Sequence, residues 1–421
     1  MNQAIHPTDS TRSVQPADAN SANAKTAIST ARGFDPAGVA RMSAVITAQV
    51  AAGRVPGAAL LMMRHGEVVE QVFGNQSPAA AQPMTIDSIF RIYSMTKPVV
   101  SVAIMMMAEQ GRFLISEPVS TYLPEFKGVQ VGVEVMGADG VAVLALQPCR
   151  TEMTIQDLLR HTAGLTYGIF GAATLVKEAY RASGVESSRV SNADMVQKLA
   201  ALPLALQPGT CWEYSRATDV LGALLERLSG QSLDVHLQEV VFGPLNMVDT
   251  GFWIPPAQQH RMAEPFPVDP VSGAKVRLLD VTRAPVFLSG GGGLVSTARD
   301  YLRFARMLAD GGVLDGVRLL ARKTLEFMTA DHLGSLPGAT AGAMYLPGPG
   351  YGFGLGFAVR TATGGPFTPG SVGDFNWSGL AGTYFWIDPQ EDLIAIWLMQ
   401  APEQRDYYRQ LIRTLVAGCL R

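Results

Sequence analysis

The chain has 421 residues, 48% of them hydrophobic and 16% charged, so it can bury a sizeable core in one large domain or two smaller ones. Its net charge of -3 gives no electrostatic basis for holding nucleic acid. Three widely spaced cysteines (Cys149, Cys211, Cys419) form neither a disulfide framework nor a zinc pattern, and six scattered histidines show no ligand spacing; no metal is expected, and a reducing compartment fits.

Residues 1–31 are polar and lack the apolar stretch of a signal peptide, which predicts a disordered tail on a cytoplasmic protein. No apolar run reaches the length of a membrane span; Val99 to Met107 comes nearest and is too short. Helical spacing begins at Pro36 and runs to Ala52, with Val39, Met42, Val45, Ile46 and Val50 on one face. Ala58 to Met63 and Val68 to Phe73 flank Arg64-His65-Gly66-Glu67 as a hairpin. A helix then runs from Ser94 to about Gln110, with Pro98 in its first turn and Gly111 as its stop.

The middle of the chain reads as mainly helical and rich in loops. Helices are predicted at Thr154 to Arg160, Asn192 to Leu202, Ala217 to Ser229 and Leu233 to Val241. Gly290-Gly291-Gly292-Gly293 breaks the chain, and a helix from Thr297 to Ala309 follows. Four strands come next: Tyr351 to Arg360, Ser371 to Trp377, Ala381 to Ile387 and Leu393 to Met399. A helix from Pro402 to Leu420 closes the chain. Strands at both ends and helices between them predict an α+β protein, an antiparallel sheet flanked by N- and C-terminal helices. Residues 32–93 and 288–421 would form that domain and 94–287 an inserted helical one, with the site at their junction.

Ser94-Met95-Thr96-Lys97 is where chemistry first shows. A serine hydroxyl is a poor nucleophile without a base in reach, and a lysine three positions on shares its helix face. A desolvated lysine near a positive neighbour has a lowered pKa and can take the serine proton. The helix start also offers free N–H groups to an oxyanion. A second match, Ser272-Gly273-Ala274-Lys275, lies in a turn composition and reads as a solvated hairpin. Tyr214, in Pro208-Gly209-Thr210-Cys211-Trp212-Glu213-Tyr214-Ser215, can relay the proton, because a cationic lysine favours a nearby phenolate. In Trp377-Ser378-Gly379, Gly379 permits close approach of a substrate to the backbone, and the N–H of Leu380 can join that of Ser94 in an oxyanion hole.

Taken in order, Ser94-x-x-Lys97, Tyr214-Ser215 and Trp377-Ser378-Gly379 resemble the family VIII carboxylesterases, which are similar to class C β-lactamases and penicillin-recognising DD-peptidases. The resemblance extends from about residue 33 to the end of the chain. Leu158-Leu159-Arg160-His161-Thr162-Ala163-Gly164-Leu165, Phe242-Gly243-Pro244-Leu245-Asn246-Met247 and Gly291-Gly292-Gly293-Leu294-Val295-Ser296-Thr297 support it. It implies a serine acyl-enzyme acting on short-chain esters without a cofactor. Two departures bear on substrate. Arg216 stands where an asparagine is usual, and Trp377-Ser378-Gly379 stands for Lys-Thr-Gly. Losing that lysine removes a charge-assisted bond to a β-lactam carboxylate, about 1.5–3 kcal/mol, and an apolar tryptophan favours an uncharged ester. Weak cephalosporin hydrolysis is allowed by the resemblance.

The expected chemistry is attack by Ser94 on a small-molecule ester, its proton shared by Lys97 and Tyr214, with Ser94 and Leu380 as oxyanion donors. Trp377, Ser378, Gly379, Tyr167 and Phe170 are the expected substrate-binding residues; His161 reads as structural. Three rivals keep the same serine: an acyltransferase of this fold, a class C-like β-lactamase, and a β-lactam sensor that acylates without turnover. Absence of the Gly-x-Ser-x-Gly pattern argues against an α/β-hydrolase.

Overall fold

A computed structural model describes residues 33–185, 187–334, 336 and 347–421; the expected tail at 1–31 lies outside them. Strands from the two ends of the chain meet in one eight-stranded sheet. From one edge the order is Tyr351–Phe353, Ala358–Arg360, Phe375–Ser378, Tyr384–Asp388, Leu393–Met399, Gly57–Arg64, Glu67–Ser77 and Ala80–Pro83. Every neighbouring pair is antiparallel. The central contact joins the ends of the chain, with Leu60 opposite Trp397 and Leu61 opposite Ile396.

Both faces of the central strands are covered, which is why Leu393–Met399 is apolar throughout rather than alternating with polar residues. Ala58, Leu60, Met62, Ala395 and Trp397 face one core with Met42 and Ile46 of the opening helix Pro36–Ala51 and Tyr408, Ile412 and Val416 of the closing helix Arg405–Ala417. Ala59, Leu61, Ile394, Ile396 and Leu398 face the larger core, shared with the helices Thr96–Glu109, Ala217–Ser229 and Ala298–Ala309. The opening helix starts at a predictable cap: the Asp35 carboxylate accepts the N–H groups of Ala37 and Gly38.

The α+β class holds, and the predicted helices appear with most ends shifted by a residue or two; the closing helix, Arg405–Ala417, is three residues shorter at each end than expected. Three details differ. Tyr351 to Arg360 is two strands, folded back on each other at Gly354–Gly356, with Gly356 at φ 98°. The middle of the chain holds a hairpin, Gln130–Met136 with Ala142–Pro148, that the helical reading missed. Its strands are mostly exposed, although Val131, Val133 and Val135 alternate along the first of them. Short helices at Leu175–Ala182 and Arg322–Met328 were also missed. The Ser272–Lys275 segment is the expected turn, with Ser272 Oγ held by Asp269. Among the described residues no helix is long and apolar enough to cross a membrane.

Candidate active site

The nucleophile sits at a strained corner. The short strand Phe90–Arg91 pairs with Val295–Ser296, and Tyr93 then takes a left-handed conformation, φ 44°. Such a position costs a non-glycine residue about 1–3 kcal/mol and persists only where its surroundings hold it. Here the Tyr93 hydroxyl accepts the Leu279 N–H at 2.8 Å, and its carbonyl accepts the Thr96 hydroxyl at 2.6 Å. Ser94 therefore lies in a 3₁₀ turn, Tyr93–Met95, one residue before the α-helix Thr96–Glu109 rather than inside it.

Lys97 is buried, and its ammonium donates to Ser94 Oγ at 3.3 Å, to the Tyr167 hydroxyl at 3.2 Å and to the Gly291 carbonyl at 2.6 Å. It also lies 4.6 Å from the centre of the Tyr214 ring. The expected lowering of its pKa does not occur. Burial pushes it down, but the phenolic oxygens of Tyr167 and Tyr214 and the Asp219 carboxylate outweigh burial and hold it above the usual lysine range. Among the described residues no cation lies close enough to lower it. Burial pushes the Tyr167 phenol up to about 12, against the opposing pull of Lys97. The resting pair is thus an ammonium beside neutral Tyr167, and an ammonium has no lone pair with which to accept a proton.

Asp219, on the helix Ala217–Ser229, builds the far side of the lysine site. Its carboxylate accepts from the Ser289 hydroxyl (2.6 Å), the Gly291 N–H (2.9 Å) and Arg216 (3.3 Å). This fixes the glycine run whose Gly291 carbonyl binds Lys97. A side chain at Gly290 would meet the Thr218 carbonyl at 2.6 Å, so the run packs directly on that helix.

Tyr214 sits in a nest of rings, stacked on Trp212 with centroids 5.8 Å apart and 5.5 Å from Trp377. His161 is part of that nest and is buried; burial holds its pKa well below the usual histidine value, and Nδ1 lies 3.3 Å from Ser215 Oγ. It is a neutral packing residue, as the sequence reading had it. Tyr167 and Phe170 meet edge to face at 5.3 Å, 89° between planes. Their loop is pinned by Lys177, which donates to the Phe170 carbonyl and pairs with Glu213 at 3.1 Å.

Ser94, Phe170, Tyr214, Trp377, Ser378 and Leu380 line one cavity of about 250 Å³. Gly379 does a different job. It is buried, and a Cβ there would collide with the Ile92 carbonyl and the Thr383 hydroxyl. Its smallness lets the turn Gly379–Thr383 pack against the backbone two residues before the nucleophile, and the Thr383 hydroxyl donates to Ile92 at 3.1 Å. That contact sets Leu380 beside Ser94. The cavity wall also holds Asn376, Tyr384, Arg405 and Arg409, which the sequence reading did not include. Arg405 and Arg409 stand at i, i+4 on the closing helix, so their shared face was readable; what that face meets was not. Nothing in the local sequence linked Asp219 to Gly291.

A serine at a strained turn, a buried lysine one helical turn on, and a cleft between sheet and helices define a serine hydrolase of the penicillin-recognising fold. The Beta-lactamase family model matches residues 42–417, and the chain belongs to that family, as one of its family VIII carboxylesterase-like members. It is 31% identical over 373 residues to Esterase EstB of Burkholderia gladioli, covering 83% of this chain and 87% of that protein. Among solved structures it is similar to EstCE1, described as a hydrolase with promiscuous acyltransferase activity (TM-score 0.75, 28% identity, 90% of this chain and 98% of that one). Unliganded Simvastatin Synthase (LovD) from Aspergillus terreus shares the fold (TM-score 0.75, 24% identity, 91% and 98%).

Proposed function

We propose that the protein is a carboxylesterase that cleaves short-chain esters through an acyl-enzyme on Ser94. The observation that carries the reading is the Lys97 ammonium 3.3 Å from Ser94 Oγ at the edge of a partly aromatic cavity. Because Lys97 is already protonated, the Tyr214 oxygen and not the lysine is the base that takes the Ser94 proton, while the ammonium stays against Ser94 Oγ. Ser94 Oγ bonds to the acyl carbon, the N–H groups of Ser94 and Leu380 hold the oxyanion, and Tyr214 returns the proton to the departing alkoxide. Water then attacks the acyl-enzyme with Tyr214 again as base, releasing the acid and restoring Ser94. Trp377, Phe170 and Ser378 bound the acyl and alcohol groups.

In this reading residues 94–287 form the helical lobe and both chain ends the sheet domain. A cytoplasmic location belongs to this reading, because the three cysteines form no disulfide framework. The test is hydrolysis of p-nitrophenyl acetate, butyrate and longer esters beside nitrocefin, for the wild type and Ser94→Ala. Ester cleavage should exceed nitrocefin turnover, and Ser94→Ala should lower it at least about 10³-fold without altering the circular dichroism spectrum. Fast nitrocefin turnover with poor ester cleavage would instead make the protein a β-lactamase. Acyl transfer is the second reading, supported by the similarity to EstCE1; ester products formed on adding an alcohol acceptor would establish it.

A further inference from the structure

The cavity wall opposite the serine is not the uncharged surface that Trp377 alone suggests. The closing helix brings Arg405 and Arg409 to it, with Asp406 as the one carboxylate among the lining residues. Asp406 is largely exposed and holds Arg409 at 3.2 Å. Arg409 also donates to the Gly379 carbonyl at 3.2 Å, and its buried Nε meets no acceptor among the described residues. Arg405 is spent only on the Pro402 carbonyl and a distant 3.8 Å approach to Asp406.

The layer behind this wall is balanced in charge but supplies donors to it. Arg360 and Arg413 both pair with one buried carboxylate, Asp374. Asp388, which also acts on Asp374, accepts the backbone N–H groups of Ser371 and Gln390. Arg413 donates to the Tyr384 hydroxyl at 2.8 Å, and Arg360 to the Tyr351 hydroxyl at 3.0 Å. The Tyr384 phenol, having accepted from Arg413, keeps its own O–H to donate, and Tyr384 lines the cavity. The buried amide nitrogen of Asn376, on the same wall, is also without an acceptor among the described residues. Donors and positive charge thus outnumber acceptors where a substrate would lie.

We infer that this wall is a carboxylate subsite, and that the preferred substrate is an ester bearing a second, free carboxylate, held by Arg405 and Arg409 with Tyr384 and Asn376 as further donors while Ser94 attacks the ester carbonyl. The inference rests on the esterase reading and narrows its substrate class. It also replaces the expectation of an uncharged ester: the cation lost at Trp377 is supplied from the closing helix.

The experiment compares monoethyl glutarate and monoethyl adipate with their neutral diethyl esters by pH-stat, for the wild type, Arg405→Gln, Arg409→Gln and Arg409→Lys. The wild type should favour one of the monoesters in kcat/KM. That preference should fall roughly tenfold or more in each Gln variant, with partial recovery in Arg409→Lys. Arg405 touches no buried backbone group, so its variant reads the subsite even if Arg409→Gln unfolds. Cleavage of the diethyl esters at an equal or higher rate, or a preference untouched by Arg405→Gln, overturns the subsite and leaves the esterase standing. Cleavage of none of the four, together with inactivity on p-nitrophenyl esters, removes the esterase reading and the subsite with it.

Discussion

At the scale of single residues, the charge on Lys97 decides the chemistry. All three of its N–H donors are taken up, by Ser94, Tyr167 and Gly291, so Lys97 itself is not the proton acceptor. The two phenols differ in kind. The ammonium lies over both rings, but burial pushes the Tyr167 phenol up to about 12, whereas Tyr214 lines the cavity with Ser94. Tyr214→Phe should therefore lower kcat by about 10²–10⁴-fold and Tyr167→Phe by only about tenfold, measured on p-nitrophenyl butyrate. Equal losses in the two variants would mean that they share the base role. His161 makes a second residue-scale prediction. Its folded pKa lies below the ordinary histidine value, so the unfolded chain binds the proton more readily. The stability this contributes is complete above about pH 6.5 and is lost as pH falls from there toward the folded value, with a slope of up to about 1.4 kcal/mol per pH unit. Urea unfolding between pH 7.5 and 5.5 should show a shallower slope in His161→Phe; His236 and His332, shifted the same way by burial, will keep part of it.

At the scale of elements, a side chain on one helix shapes the loop that completes the site. Asp219 ties the helix Ala217–Ser229 to the glycine run at 290–293 and neutralises Arg216. Asp219→Asn should cost about 3–5 kcal/mol of stability in thermal or urea unfolding, because it removes one charge of the buried Arg216–Asp219 pair. Esterase kcat should drop with it, since the Gly291 carbonyl would no longer be held against Lys97. Helices of this kind were legible in the sequence. Thr154 and Asp157 form a reciprocal capping box at the start of Ile155–Leu159, and a left-handed Gly230 ends Ala217–Ser229, both local signals. The Gln130–Met136 and Ala142–Pro148 hairpin left a local signal that the helical reading passed over: Val131, Val133 and Val135 alternate, and Asp139-Gly140 marks a turn. Tyr351 to Arg360 looked like one strand because apolar residues continue through its turn, and only the pairing of Tyr351 with Arg360 reveals the fold-back.

For the whole molecule, the closing helix has two jobs that cannot be separated. Tyr408, Ile412 and Val416 seal one face of the sheet, and Arg405 and Arg409 reach around to the cavity. Ile412→Ala should destabilise the protein by about 2–5 kcal/mol in urea unfolding. It should also raise KM more than it lowers kcat, since it loosens the cavity wall and not the Ser94–Lys97 pair. A fall in kcat alone would mean that the helix acts only as a cover. What the sequence determined by itself was local: the turn of helix that puts Lys97 on the face of Ser94, the caps, the apolar strands, and the ordered motifs that point to the family. What only the tertiary structure decided was which distant groups meet: Gly291 and Tyr167 on Lys97, Asp219 behind Gly291, Gly379 against Ile92, and two arginines opposite the serine. Periodicity tells which face of an element is buried but not what buries it. A pKa, a charge balance or a substrate preference depends on that partner.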